Sequence, residues 1–195
     1  YVASAFYSNR GRAKKAYSHG LKVLDQGRDD YVLRVRLGRL SRVLEDLEGA
    51  RVHLDAAVQL YPDGRGAWKQ LMKLAETTDD DRLYRRATRR LFELDQTSPT
   101  VAKRYTELAV EENRWEAAAE GVARWYAIQP FEPVVHRTDI EVSLRRDRPA
   151  DALEAYELLA KLRPDQRADL WKKAAERLQK AGYGEYARRA AARAK

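Results

Sequence analysis

The sequence contains no cysteine. Disulfides, thiolate nucleophiles and cysteine-based metal sites are therefore excluded. Its absence leaves the compartment undecided, since cytoplasm and bacterial periplasm both suit such a chain. No stretch approaches the roughly 18 apolar residues of a membrane span. There are three histidines. His19 and His53 stand 34 residues apart and His136 stands alone, whereas helical zinc ligands come at i, i+4 on one face. Asp79, Asp80 and Asp81 lack the alternating oxygen ligands and glycine turn of a calcium loop; they read as a charge run at a helix start. There is no nucleophile elbow, no glycine-rich phosphate loop and no His-Glu metal motif. No acid–base pair stands outside the pattern described below. The chain is thus expected to be no enzyme and to need no cofactor or metal. No signal peptide is visible, and the chain opens on Tyr1 inside a helical pattern, so it reads as a piece of a longer protein.

What the sequence has in abundance is charge. Charged residues make up 35% and hydrophobic residues 44%. The first value is well above the globular norm and the second near it. That balance fits a thin, extended molecule with much surface per residue. The net charge of +8 is spread along the chain, with +5 over residues 1–98 and +3 over 99–195. A basic balance favours acidic protein, nucleic acid or anionic surfaces without choosing among them.

The second prominent feature is a sentence that recurs. Residues Arg148 to Pro164 read as one helix, with Asp147 placed to cap it and Pro149 tolerated in its first turn. Ala152, Tyr156, Leu159 and Ala160 form one apolar stripe at helical period, and Pro164 stops it. Glu45–Pro62 and Asn113–Pro130 repeat the pattern. Asn9–Leu24, Asp79–Pro99 and Gly182–Lys195 are weaker copies. Aligning the small residues Ala16, Ala50, Ala87, Ala118, Ala152 and Ala187 gives intervals of 34, 37, 31, 34 and 35. The 37 and 31 cancel, as though one turn gained three residues and the next lost three. Such a period means stacked helix pairs, none able to bury its apolar face alone.

In these positions the chain resembles the tetratricopeptide repeats. The unit from Tyr31 matches at Leu37, Gly38, Ala50, Leu54, Ala57 and Pro62. The unit from Arg65 matches at Trp68 and Leu71, with its second helix (Ala87, Leu91) read as three residues late. The unit from Pro99 supplies Trp115, Ala118, Val122 and Pro130. The next, from Pro133, supplies Ala152, Tyr156, Ala160 and Pro164. The last carries Trp171, Ala175, Ala187, Ala191 and Ala194, and the first keeps only Ala5, Ala16 and Val23. Thr106, Ile140 and Trp125 depart from the pattern. The resemblance implies an all-α, right-handed α-solenoid of stacked antiparallel helix pairs. It would be a single solenoid over 1–195, with approximate repeats 1–30 (partial), 31–64, 65–98, 99–132, 133–167 and 168–195. The alanine-rich final helix lacks a polar cap, so further repeats or another domain are expected to adjoin it.

The resemblance also implies that the first helices line a concave groove used for partners. One groove position reads Val35, Lys69, Lys103, Arg137 and Lys172; another reads Arg39, Lys73, Glu107, Glu141 and Glu176. Lys103–Glu107, Arg137–Glu141 and Lys172–Glu176 are i, i+4 pairs that would partly neutralise each other. Arg39, Arg42, Lys69 and Lys73 have no such neighbour at the groove positions. The expected function is a protein–protein interaction scaffold that takes an extended or acidic segment on Arg39, Arg42, Lys69, Lys73, Lys103, Arg137 and Lys172. The competing account of the same residues is a solvated face with routine ion pairs, each worth about 0.3–0.5 kcal/mol. A second function reading is nucleic-acid or ribosome binding through Arg82, Arg85, Arg86, Arg89 and Arg90 on a second helix. Few aromatics interleave there, only Tyr84 and Phe92, which weakens it. A third is an accessory repeat segment of a secretion assembly or enzyme. The four tryptophans are read as packing residues, with Trp125, at a normally small position, as the exception to watch.

Overall fold

The computed structural model describes residues 2–194, with side chains from residue 11. Among these residues every regular element is helical. A long α1 (Val2–Asp25) is followed by α2 (Tyr31–Val43), α3 (Leu47–Leu60), α4 (Arg65–Thr78) and α5 (Asp81–Leu94). Then come α6 (Pro99–Glu111), α7 (Trp115–Ile128), α8 (Pro133–Arg145), α9 (Pro149–Leu162), α10 (Arg167–Lys180) and α11 (Gly184–Arg193), with a short 3₁₀ turn at Pro164–Gln166. The chain forms two compact units, residues 1–95 and 96–195. Within each, helices pack as consecutive pairs: α2 with α3, α4 with α5, α6 with α7, α8 with α9 and α10 with α11. Neighbouring pairs then lean on each other, α3 on α4, α7 on α8 and α9 on α10. This is the expected all-α arrangement of helix pairs.

The helices keep a stricter period than the alanines. First helices start at 31, 65, 99, 133 and 167, a constant step of 34. Second helices start at 47, 81, 115, 149 and 184. The expected three-residue gain and loss around α5 is therefore wrong. Tyr84, not Ala87, stands 34 residues after Ala50. Ala87 shares its register with Gly121 and Ala155, one helical turn further on, and all three are buried. A step of three residues stays on the same helix face, which is why the displaced alanine mimicked a shifted helix.

The constant step has a backbone cause. Glu45, Asp79, Asn113 and Asp147 all adopt left-handed φ, between 52 and 65°, and Gly182 follows at 87°. The next residue's N–H donates five residues back in each case: Asp46 to Ser41, Asp80 to Ala75, Arg114 to Ala109, Arg148 to Ser143 and Tyr183 to Leu178. This is a Schellman closure of every first helix. It corrects the role expected of Asp147, which sits in the left-handed position and accepts a hydrogen bond from the Tyr183 hydroxyl at 2.6 Å. The N-cap of α9 is Arg148, which makes no side-chain cap. Asp46 and Asp80 do cap, accepting from the backbone N–H of Gly49 and Leu83.

Prolines mark the joints between repeats in a second way. The Trp68 indole N–H donates to the Pro62 carbonyl at 2.7 Å. His136 Nε2 makes the same contact with the Pro130 carbonyl at 2.8 Å. Each donor sits early in a first helix, six residues past the proline. The indole and the imidazole are both buried, so each carries its polar atom inward only because that carbonyl meets it.

The apolar stripe expected of α9 is buried in full, at Ala152, Tyr156, Leu159 and Ala160. Ala50, Ala118, Ala152 and Ala187 are likewise inside. Of the last helix, Ala187 and Ala190 are buried while Ala191 is exposed. Ala16 also departs from expectation: it is exposed, and among the described side chains of α1 the buried small residues are Ala13 and Gly20. Ala5 lies outside the described side chains.

The pairs close tightly. A Cβ on Gly38 would lie 2.5 Å from Leu54 Cγ and 3.3 Å from the Ala50 carbonyl oxygen. A Cβ on Gly121 would lie 2.4 Å from Thr106 Oγ1. Gly38→Val is expected to lose about 1–3 kcal/mol through overpacking. Urea unfolding of the variant should show a lower midpoint at unchanged slope; an unchanged midpoint would mean that α2 and α3 do not pack at this distance.

Candidate partner-binding site

The seven cations singled out from the sequence all lie on first helices. Arg39 and Arg42 are on α2, Lys69 and Lys73 on α4, Lys103 on α6, Arg137 on α8 and Lys172 on α10. The first four belong to the first unit and the last three to the second. Arg39 and Lys73 are exposed and form no ion pair among the described residues. Arg42 is half-buried, and its Nε is buried without a hydrogen-bond partner. A guanidinium held in this way keeps its full charge and spare donors.

Lys69 breaks the expected set. Its ammonium lies 3.0 Å from Asp95 Oδ2, and Arg65 approaches the other carboxylate oxygen at 3.7 Å. Asp95 is buried at the C-terminus of α5. The pairing bridges the two helices of one repeat, so no search along a single helix face reveals it. Lys69 is committed to holding Asp95, and a buried carboxylate needs such partners.

In the second unit only one of the three expected i, i+4 pairs forms. Lys103 Nζ lies 3.8 Å from Glu107 and 5.9 Å from the centre of the Trp125 ring. Arg137 with Glu141, and Lys172 with Glu176, make no ion pair among the described residues. Arg137 and Glu141 instead line a cleft of about 500 Å³ that also holds Lys173, Glu176 and Arg177. With mixed charge and open water around them, a pair worth about 0.3–0.5 kcal/mol does not hold two long side chains together.

The arginines of α5 are largely engaged inside the molecule. Arg85 pairs with Asp81 at 2.7 Å. Arg90 binds both Asp63 and Glu93. Arg86 lies over the Trp68 ring, 5.3 Å from its centre. All four tryptophans carry a cation in this manner: Arg145 covers Trp115, Lys103 covers Trp125 and Arg193 covers Trp171. Trp68, Trp125 and Trp171 are buried, so they serve packing. Trp125 satisfies its N–H through Gln129 at 3.1 Å.

The histidines behave as repeat positions. Among the described residues no group of three or more His, Cys, Asp or Glu is placed to hold a metal ion. His53 is buried and links three helices. Arg34 approaches its Nδ1 and the Tyr17 hydroxyl its Nε2, both at 3.2 Å. Arginine only donates, so Nδ1 accepts and Nε2 bears the hydrogen toward Tyr17. Arg34 is fixed in turn by both carboxylate oxygens of Asp29. Burial first, then the Arg34 charge, hold the His53 pKa below the ordinary 6.5, against the weaker pull of Asp46 and Asp29.

The first unit also contains a cleft of about 580 Å³ between α1 and α2. Its α2 wall carries Leu33, Arg36, Arg39 and Leu40; its α1 wall carries Ala16, His19, Gly20 and Val23. A Cβ on Gly20 would lie 2.7 Å from Leu37 Cδ2, so the two helices touch at the cleft floor. Arg39 is thus the one sequence-selected cation that opens into this cleft. Nothing in the sequence pattern marked its neighbour Arg36.

Paired helices at a 34-residue step, joined by left-handed turns, define a tetratricopeptide-like repeat protein. The structure is similar to that of YrrB, described as a TPR protein with an unusual peptide-binding site: TM-score 0.62, 12% identity, 90% of each chain covered. It is also similar to MamA, with TM-score 0.56 and 16% identity over 84% of this chain and 89% of that one. At these identities the likeness concerns the fold. The chain belongs to the bacterial transcriptional activator domain family, whose pattern spans residues 30–166. No curated protein matches the sequence. Domains of this kind are non-catalytic scaffolds that typically bind protein, and no helix here is long and apolar enough to cross a membrane.

The His53 arrangement has a pH consequence. Its folded pKa lies below that of the unfolded chain, so the unfolded state takes up the proton first as pH falls. The stability contributed by neutral His53 is complete above about 6.5 and is lost progressively below it, toward the depressed folded value. Thermal melting between pH 7.5 and 5, a range about the ordinary histidine pKa, is expected to show a falling midpoint that His53→Gln flattens. Equal slopes in both proteins would show that His53 is not held neutral.

Proposed function

We propose that this domain is the partner-binding module of a bacterial transcriptional regulator and that it holds an acidic segment of another protein on its first unit. The observation that carries the reading is the state of Arg39, Arg42 and Lys73. Three cations sit on adjacent first helices of one unit with no carboxylate among the described residues paired to them, while Lys69 and the α5 arginines Arg85 and Arg90 have theirs. Cations without an internal carboxylate partner on neighbouring first helices supply a surface of one sign for a ligand of the other. YrrB, with its peptide-binding site, supports a peptide or extended segment as the ligand type. The family supports a setting in transcriptional activation.

Binding here involves no chemical step. The helices are already in place, so little ordering cost opposes association on the protein's side. The exposed cations steer an acidic ligand and quicken its arrival, an effect that weakens with salt. Arg42, half-buried beside them, adds a further positive charge at this surface. Lys69 serves indirectly by anchoring Asp95. Lys103, Arg137 and Lys172 are proposed as further contacts on the second unit.

A fluorophore-labelled synthetic peptide rich in Glu and Asp provides the test. Arg39→Glu with Lys73→Glu is expected to weaken its binding by about tenfold or more at low salt, while Arg82→Glu, on α5, leaves it within error. Undiminished binding by the double variant would overturn the proposal. So would tight duplex DNA binding that is lost on mutating Arg85 and Arg89.

A further inference from the structure

Three successive first helices place an apolar residue at the same position: Leu37 on α2, Leu71 on α4 and Tyr105 on α6, at steps of 34. Leu37 and Leu71 are buried. The next residue at that step is Asp139, on α8. It lines a cleft of about 320 Å³ between α7, α8 and α9. The walls are apolar, with Val122 and Tyr126 from α7 and Ala155 and Leu158 from α9. Burial pushes the Asp139 carboxyl above its ordinary 3.8, against the Ser143 hydroxyl that donates to it at 3.1 Å and the weaker pull of His136. The charges of Asp151 and Glu154, which also line the cleft, add to the shift. A carboxylate drawn away from water calls for a cation. Arg146 lines the same cleft but is held by both carboxylate oxygens of Glu116, at 3.0 and 2.6 Å. Asp151 is paired with Arg148 at 3.1 Å. Asp139 and Glu154 form no ion pair among the described residues. A charge at a core position, opening on a cleft, is the kind of local conflict that marks a functional site.

We infer that this cleft takes an arginine side chain from a basic segment of a partner protein. The guanidinium pairs with half-buried Asp139 and with exposed Glu154, and its aliphatic stem lies along Val122, Ala155 and Leu158. Tyr126, exposed at the mouth, supplies a ring for an apolar neighbour of that arginine. Arginine suits the cleft better than lysine, because its planar fork meets two carboxylates at once and it is less strongly hydrated. The sign selects the partner. A chain of net charge +8 repels basic segments at large, so a local acidic cleft fixes where one docks. This surface belongs to the second unit and does not depend on the acidic-segment reading of the first.

The test uses the full 195-residue chain and three labelled synthetic peptides. One carries an arginine flanked by leucines, one has neutral citrulline in its place and one has lysine. The protein variants are Asp139→Asn, Asp139→Leu and Ala123→Trp, which fills the cleft from an exposed lining position. Asp169→Asn, at an exposed carboxylate of α10, is the control. The arginine peptide is expected to bind best, the citrulline peptide about tenfold or more weakly, and the lysine peptide between them. Each cleft variant should weaken the arginine peptide by about tenfold, as loss of a central anchor does, while Asp169→Asn leaves it within error. Asp139→Leu restores the residue of the earlier repeats, so its thermal midpoint should rise as binding is lost, which a purely structural carboxylate would not allow. Equal binding of the arginine and citrulline peptides, or undiminished binding by the cleft variants, would overturn the inference. Displacement of the peptide by an equal concentration of spermidine would assign the cleft to a small polyamine, and dimers that Asp139→Asn dissolves in sedimentation would assign it to a second copy; either overturns it. None of these outcomes involves Arg39 or Lys73, so a failure here leaves the acidic-segment reading standing.

Discussion

The close approach of the two helices within each pair governs the remainder of the structure. Gly38 lets α2 come within contact of the Ala50 carbonyl, and Gly121 lets α7 lie on Thr106. Helices at that distance bury both backbones and leave little room for side chains between them. Trp68, Trp125 and Trp171 are buried, and each lies under a cation from the other helix of its pair: Arg86, Lys103 and Arg193. Each pair still exposes an apolar face that only the next pair covers. Stability is therefore shared between neighbours.

The turn chemistry supports this packing from the backbone side. A left-handed residue ends every first helix and sends the chain back along the second. At Gly182 that conformation is intrinsically easy, and at Asn113, Asp79 and Asp147 it is tolerated. At Glu45 it is maintained by the flanking hydrogen bonds, Glu45 N–H to Arg42 and Asp46 N–H to Ser41. Equal turns give equal repeats, which is why helix starts keep their step even where the buried alanine does not.

Charge is arranged by a different rule from packing. The chain carries eight more cations than anions, and several cations of the first unit are matched by carboxylates brought from another helix or turn. Arg90 reaches Asp63, Arg51 reaches Asp80, Lys69 reaches Asp95 and Arg34 reaches Asp29. Arg39 and Lys73, on neighbouring first helices, are exposed and form no ion pair among the described residues, and on them the proposed binding of an acidic segment rests.

The fold was legible in the sequence because its determinants are local and periodic. Apolar stripes such as Ala152–Tyr156–Leu159, stops such as Pro164, and small residues at a 34-residue step require no knowledge of distant contacts. The same reading misplaced Ala87 by a turn, since residues three apart share a face. It also misjudged Ala16, which is exposed. The site was legible only in part. Position along a first helix located Arg39 and Lys73, but pairing is set by three-dimensional distance: Lys69 lies 26 residues from Asp95 and beside it in space. Sequence by itself thus determined the helices, their pairing and their period, through interactions within one turn or one repeat. Tertiary structure alone decided which charges are matched across helices, as Lys69 is by Asp95, because that depends on what packing brings near.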